Sequence, residues 1–222
     1  MEILEKLAEC VEIGKADETT SFLPALIGSK GASELTLEAL LSGLTPGEIL
    51  SGGLITGMNR IGEKFASGKV YIPNLLISAK AMKAAMVHLA PYFERGDAQY
   101  KGTFIMGTVQ GDMHDIGKNI VKMVLQGGGW NVIDLGTNTP VDKFLEAIDK
   151  NNAKMAGLSA LLTTTMLNME KITGDIKNRF SGVKVFIGGA PVSKEFNDKI
   201  GADGYFKDPH GLAKYLDTLV NA

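Results

Sequence analysis

Cys10 is the only cysteine in 222 residues, so an intramolecular disulfide is excluded. Excess charge is missing as well. Lys and Arg number 23 and Asp and Glu 25, a net charge of −2. No bulk positive potential is available to hold nucleic acid. No apolar run approaches the roughly 18 residues of a membrane span. The opening Met1-Glu2-Ile3-Leu4-Glu5 carries acid where a secretory leader carries base. The expectation is a soluble cytoplasmic chain with neither nucleic acid nor membrane as a partner. What is abundant is glycine: 27 residues, about 12% against a usual level of about 7%.

The chain changes period part-way along. Up to about residue 90, apolar residues recur at three and four with no alternation of β type, which predicts an antiparallel helical bundle. Thr45-Pro46-Gly47-Glu48 has a capping-box start, and Leu50, Leu54, Met58, Ile61 and Phe65 follow on one face up to Gly68. A second long helix starts at Pro73, with Leu75, Ala79, Met82, Met86 and Leu89 as its stripe. Shorter helices are expected over Glu2–Ile13, Glu18–Ile27 and Glu34–Ser42, and His88 is expected on a solvated face. The polar stretch Pro91–Lys101 is expected as a linker and hinge.

From Gly102 short apolar runs alternate with amphipathic helices. Strands are expected at Thr103–Val109, Asn131–Leu135, Met155–Leu161, Val183–Gly188 and Gly204–Phe206. Helices are expected at Ile116–Leu125, Val141–Lys150, Met166–Arg179, Lys194–Ile200 and Gly211–Val220. This pattern predicts an α/β flavodoxin-like (Rossmann-like) domain over 102–222, its five parallel strands ordered 2-1-3-4-5. In such sheets ligands sit beyond the carboxyl ends of the strands, at the switch point. The segments there are Gln110-Gly111-Asp112-Met113-His114-Asp115-Ile116-Gly117, then Ser159 to Thr165, then Gly188-Gly189-Ala190.

Three nucleotide readings of this end fail. Gly111 and Gly117-Lys118 are separated by five residues rather than the four of a P-loop, and Asn119 stands where Ser or Thr is needed. The Gly-x-Gly-x-x-Gly fingerprint is absent after the first strand. A phosphoryl-accepting receiver would have an acid where Ser159 stands.

Asp112-x-His114-x-x-Gly117, then 41 residues, Ser159-x-Leu161, then 26 residues and Gly188-Gly189 resembles the cobalamin-binding signature of methionine synthase and of the small corrinoid proteins of methyltransferase systems. The stretch Gly57-Met58-Asn59 through Phe65, Gly68, Tyr71-Ile72-Pro73, Ser78-Ala79 and Ala81-Met82 resembles the helical cap that precedes that domain. The likeness runs from about Thr45 to Asp208. It implies a cobamide held base-off, with His114 on cobalt, Asp112 orienting the imidazole and Thr165 completing the relay. Gly111, Met113, Asp115, Ile116 and Gly117 complete the first loop of the implied site. Ser159, Leu161 and Thr163 would line the slot for the displaced nucleotide tail, beside Gly188 and Gly189. Phe65, Ile72 and Leu75 would cover the methyl face.

The implied activity is methyl carriage on cobalt. A substrate-specific methyltransferase loads the methyl group, a second delivers it to coenzyme M or tetrahydrofolate, and a reductive activation protein is a third partner. The chain is too short to hold the barrel domains of those partners, so it is expected as a carrier subunit that is not catalytic alone. Other readings stay open at this point. They are a cobalamin-responsive regulator, the small subunit of a mutase, and a metal-dependent hydrolase built on Asp112, His114 and His210. Taken singly, His114 is also a loop histidine at a helix start, Asp115 a helix-start acid, and Phe65 and Ile72 bundle-end packing.

Overall fold

The computed structural model describes residues 2–19 and 24–220. The chain divides into two compact units, one holding the residues up to Tyr100 with Met123–Gly129, the other Lys101–Lys122 and the residues from Trp130 on.

The first unit is helical. It contains α1 (Glu2–Ile13), α2 (Ala32–Leu41), the short α3 (Pro46–Glu48), a π-helical stretch (Ile49–Ile55), α4 (Thr56–Ala66) and α5 (Ile72–Glu94). The capping box at Thr45 forms as expected: Glu48 N–H donates to Thr45 Oγ1 at 3.2 Å, and Thr45 N–H donates to Glu48 Oε2 at 2.8 Å. The helix it starts is not a uniform α-helix. The π-helical stretch follows α3 directly, and Thr56 Oγ1 donates to the Ser51 carbonyl five residues back. Leu50, Leu54, Met58 and Ile61 are buried all the same, and Phe65 packs against the same core while remaining partly exposed.

Four expectations here need correction. Of the helix expected over Glu18–Ile27, residues 20–23 lie outside the described residues, and a single 3-10 turn (Pro24–Leu26) stands in the described remainder. Pro91 does not open a linker, because α5 runs through it to Glu94. The buried side of α5 is carried by Leu75, Ser78, Ala81, Met82, Ala85 and Leu89, so the small residues face inward and Ala79 and Met86 are pushed to its edge. His88 is half-buried, its Nε2 at 2.8 Å from Ser33 Oγ, a tie between α5 and α2.

The second unit is the predicted parallel sheet. Its strands are β1 (Thr103–Thr108), β2 (Asn131–Asp134), β3 (Met155–Ser159), β4 (Lys184–Gly188) and β5 (Gly204–Tyr205), in the order β2-β1-β3-β4-β5. The intervening helices are α6 (Ile116–Gly127), α7 (Val141–Lys150), α8 (Thr163–Arg179), α9 (Lys194–Ile200) and α10 (Pro209–Val220). Ile105, Ala156, Leu158, Val185 and Ile187 of the three central strands are buried, with Phe144, Met169, Ile172 and Ile176 of α7 and α8 in the same core. Burial of both faces explains why these strands read as continuous apolar runs.

Candidate cofactor site

Register brings the motif segments together. Thr108 at the end of β1 pairs with Ser159 at the end of β3, and Ser159 pairs with Gly188 at the end of β4. The three loops that follow therefore leave the sheet side by side, at the switch point.

Asp112 occupies the centre of these loops with its side chain fully buried. Its Oδ2 accepts from Thr165 Oγ1 at 2.6 Å, from Leu161 N–H at 2.8 Å and from Leu162 N–H at 3.3 Å. Its Oδ1 accepts from His114 N–H at 3.0 Å and lies 2.7 Å from His114 Nδ1. Burial pushes the Asp112 carboxyl up. The hydrogen bonds from Thr165, from the His114 and Leu161 N–H groups and from the His114 ring outweigh it and hold the carboxyl well below the usual carboxylate range. An ionised carboxylate only accepts, so Nδ1 of His114 carries the shared proton, and in the neutral imidazole the lone pair is therefore the one at Nε2. The His114 side chain is 51% exposed, and among the described residues nothing hydrogen-bonds Nε2. This is the orientation that a metal-ligating imidazole needs.

The surroundings fit a large flat ligand. Met113 (68% exposed) and Ile116 (77%) flank His114, and Leu161 and Leu162 are also exposed, an apolar rim without internal cover. A Cβ added at Gly117 or Gly188 would meet no heavy atom within 4 Å. These two glycines leave space open to a ligand. Gly111 and Gly189 answer to the backbone instead: Gly111 has φ +84°, and Gly189 has φ +136° and a position where a Cβ would overlap the Ala160 carbonyl oxygen. Ser159 ends β3 with no described partner for its hydroxyl, and Thr163 opens α8, exposed.

The remaining expected residues fall elsewhere. Asp115 precedes α6, where its side chain accepts from Asn119 Nδ2 at 2.9 Å, the helix-start role. In the helical unit Ile72 is exposed at the first position of α5, while Leu75 is only 4% exposed inside that unit's core. Leu75 thus presents little surface with which to cover anything. His210 is buried in the first turn of α10. Among the described residues no three His, Cys, Asp or Glu side chains gather where they could hold a metal ion, which removes the support for a hydrolase built on Asp112, His114 and His210. A single imidazole suits a metal whose other ligands come with its cofactor.

Two regions of the chain match family models described as a B12 binding domain, residues 102–212 and residues 29–90. The chain belongs to the B12-binding corrinoid proteins. Their helical match begins ahead of Thr45, so the likeness reaches further back than the motifs indicate. The chain is 39% identical to the trimethylamine corrinoid protein of Methanosarcina barkeri, over 86% of this chain and 89% of that one. It is 40% identical to dimethylamine corrinoid protein 1 of Methanosarcina acetivorans, over 98% of each. Among solved structures, one chain of the methanol:cobalamin methyltransferase complex of Methanosarcina barkeri superposes with a TM-score of 0.83 at 25% identity, covering all of this chain and 80% of that one.

Sequence reasoning missed three residues that hold this corrinoid protein's loop from neighbouring elements: Thr108 of β1, Asn138 between β2 and α7, and Asn168 of α8. Thr108 is fully buried and donates from Oγ1 to the His114 carbonyl at 2.8 Å. A hydroxyl at the carboxyl end of a strand whose interior is apolar was the available signal. Asn138 and Asn168 bond Gly111 and Gln110 of the loop, and only an asparagine two residues before Pro140 hinted at a turn there.

Proposed function

We propose that this chain carries a methyl group between two methyltransferases on a cobamide bound base-off at the carboxyl end of the sheet, with His114 Nε2 as the protein's ligand to cobalt. The donor-side enzyme takes the methyl group from a methylated amine, and the acceptor-side enzyme delivers it to coenzyme M or tetrahydrofolate. A reductive activation protein restores the carrier when it is oxidised. The cobamide supplies the metal that accepts and releases the methyl group. The chain's own residues supply orientation. Asp112 fixes the imidazole tautomer and holds the proton at Nδ1, Thr165 and the Leu161 N–H fix Asp112, and Ser159, Leu161 and Thr163, beside Gly188 and Gly189, would hold the nucleotide tail of the cobamide. Met113 and Ile116 offer apolar surface to the macrocycle, and Gly111 and Gly117 keep the loop close. The resemblance would assign Ile72 and Phe65 of the helical unit to the methyl face, with Leu75 as their support from within that unit's core.

The observation that carries this reading is the 2.7 Å contact between His114 Nδ1 and a buried carboxylate, which leaves Nε2 unengaged. The helical match over residues 29–90 supports a methyl carrier over a mutase subunit, which would not need that module. Trimethylamine and dimethylamine relatives stand at 39% and 40% identity, so the methylated amines as a class, rather than one of them, are the proposed donors.

The purified chain is mixed with hydroxocobalamin and desalted, and its ultraviolet-visible spectrum is recorded beside that of His114→Ala. The wild-type chain is expected to retain the red cofactor, and the variant to lose it or to shift its bands. A colourless wild-type chain overturns the carrier reading, and an unchanged variant spectrum removes His114 as ligand. Loaded chain given each methylated amine with its methyltransferase then identifies the donor.

A further inference from the structure

The loop that leads into His114 is held from outside at three successive residues. Asn168 of α8 donates from Nδ2 to the Gln110 carbonyl at 2.7 Å. Asn138 accepts at Oδ1 from Gly111 N–H at 2.8 Å, and its own N–H donates to the Asp112 carbonyl at 2.8 Å. Asn138 belongs to the connection between β2 and α7, where it stands at φ +50°, a left-handed backbone that asparagine tolerates better than most residues. Gly111 is left-handed too, at φ +84°. A segment of this shape has no regular hydrogen-bond ladder of its own, so side chains from two other elements stand in for one.

We infer that Asn138 and Asn168 are positioning residues for cofactor binding, a two-asparagine clamp on Gln110–Asp112 that fixes where His114 points. The inference rests on His114 as the cobalt ligand. Neither asparagine reaches the imidazole. Both act through the backbone on which Asp112 and His114 are carried. With the clamp closed, Asp112 stays under the Leu161 N–H and Thr165, and the imidazole leaves the loop in one direction. With either tie cut, Gln110–Asp112 gains alternative conformations, and each molecule must reorder them when it binds. That cost appears as weaker binding and as a smaller histidine-bound fraction, without requiring loss of the fold.

The variants separate the clamp from the general integrity of the loop. Asn138→Gly keeps the left-handed backbone and the N–H bond to Asp112 but removes the acceptor for Gly111. Asn138→Asp keeps that acceptor. Asn168→Ala cuts the other tie from within a regular helix, so it serves if Asn138→Gly does not fold. Each chain is titrated with hydroxocobalamin beside wild type and His114→Ala, with apo melting temperatures as the control for folding. Outer-shell partners of metal ligands typically contribute 10–100-fold in affinity, so removing a tie one step further out is expected to weaken binding about tenfold, with Asn138→Asp recovering most of it. Bands displaced toward those of His114→Ala are expected in Asn138→Gly and Asn168→Ala, a signature that a merely structural role would not move. Wild-type affinity and bands in both clamp variants, with an altered His114→Ala spectrum, overturn the clamp and leave the ligand reading intact. Equal weakening by Asn138→Gly and Asn138→Asp also overturns it, because the acceptor would then be irrelevant. An unchanged His114→Ala spectrum overturns the ligand reading, and the clamp falls with it.

Discussion

A single carboxylate organises the site. Asp112 takes five hydrogen-bond donors from two segments of chain, its own loop and Leu161–Thr165, while its side chain is completely removed from water. An ionised group in that position would be costly without them, and hydrogen bonds to charged groups contribute about 1.5–3 kcal/mol each. Asp112→Asn preserves volume but turns an amide NH₂ toward donors that need an acceptor. It is expected to lower unfolding free energy by about 1–3 kcal/mol in urea titrations and to weaken hydroxocobalamin binding about 10–100-fold. Thr165→Ser should keep the hydroxyl bond to Asp112 and bind as wild type, whereas Thr165→Val should lose it and bind more weakly. Equal binding by both Thr165 variants would show that the hydroxyl does not act on Asp112. The residue types and spacing of Asp112 and His114 were readable in the chain. That Asp112 also caps Leu161 and Leu162 was not, because those partners lie some fifty residues away and meet it only through strand register.

Among elements, α6 and β2 are joined by a buried charge cluster. Lys118, its side chain 2% exposed, lies 2.6 Å from Asp134, and Lys122 approaches the same carboxylate at 3.1 Å. Burial raises the Asp134 carboxyl, while Lys118, the Gly136 N–H and Lys122 together bring it below its ordinary value. The folded-state value lies under the unfolded one, so the stabilisation is complete above the ordinary aspartate value of about 3.9. It disappears as pH falls through the lower folded value. Asp134→Asn leaves Lys118 buried without its counter-charge and is expected to cost about 3–5 kcal/mol at neutral pH. Urea unfolding over a pH series should show the gap to wild type narrowing below about pH 4. A constant gap would contradict the linkage. In the helical unit, Gly57 sits where α4 meets α1: a Cβ there would strike the Ala8 carbonyl and come within 2.7 Å of Val11 Cβ. Helix propensity alone makes Gly57→Ala stabilising by up to about 1 kcal/mol. The contact predicts the opposite sign, and a lowered melting temperature checks it. At Gly53 an added Cβ would meet the Leu7 side chain instead, 2.7 Å from its Cδ2, a neighbour that can give way more readily than a backbone carbonyl.

On the scale of the whole molecule, cofactor binding and folding stability are one equilibrium. A ligand taken up only by the folded chain stabilises it by about 2.7 kcal/mol at a hundredfold excess over Kd. The melting temperature is therefore expected to rise with hydroxocobalamin concentration, and to rise less in His114→Ala. An identical rise in both would deny the histidine any share in binding. No helix among the described residues is long and apolar enough to cross a membrane. The amino-acid sequence alone determined the strand order, the exact span of α1, α7 and α9, the capping box at Thr45 and the pairing of Asp112 with His114. The strand order follows from the βα alternation through the connection rules of parallel sheets, and the rest depend on local periodicity, capping chemistry or short spacing, which any stretch of chain carries with it. The tertiary structure alone decided the π-helical stretch, the continuation of α5 through Pro91, the tie between His88 and Ser33, the burial of Leu75 and the bonds from Asn138 and Asn168 to the Gln110–Asp112 loop. Each of these depends on which neighbour a side chain meets after packing, and hydrogen bonds between residues tens of positions apart leave no periodic trace in the sequence.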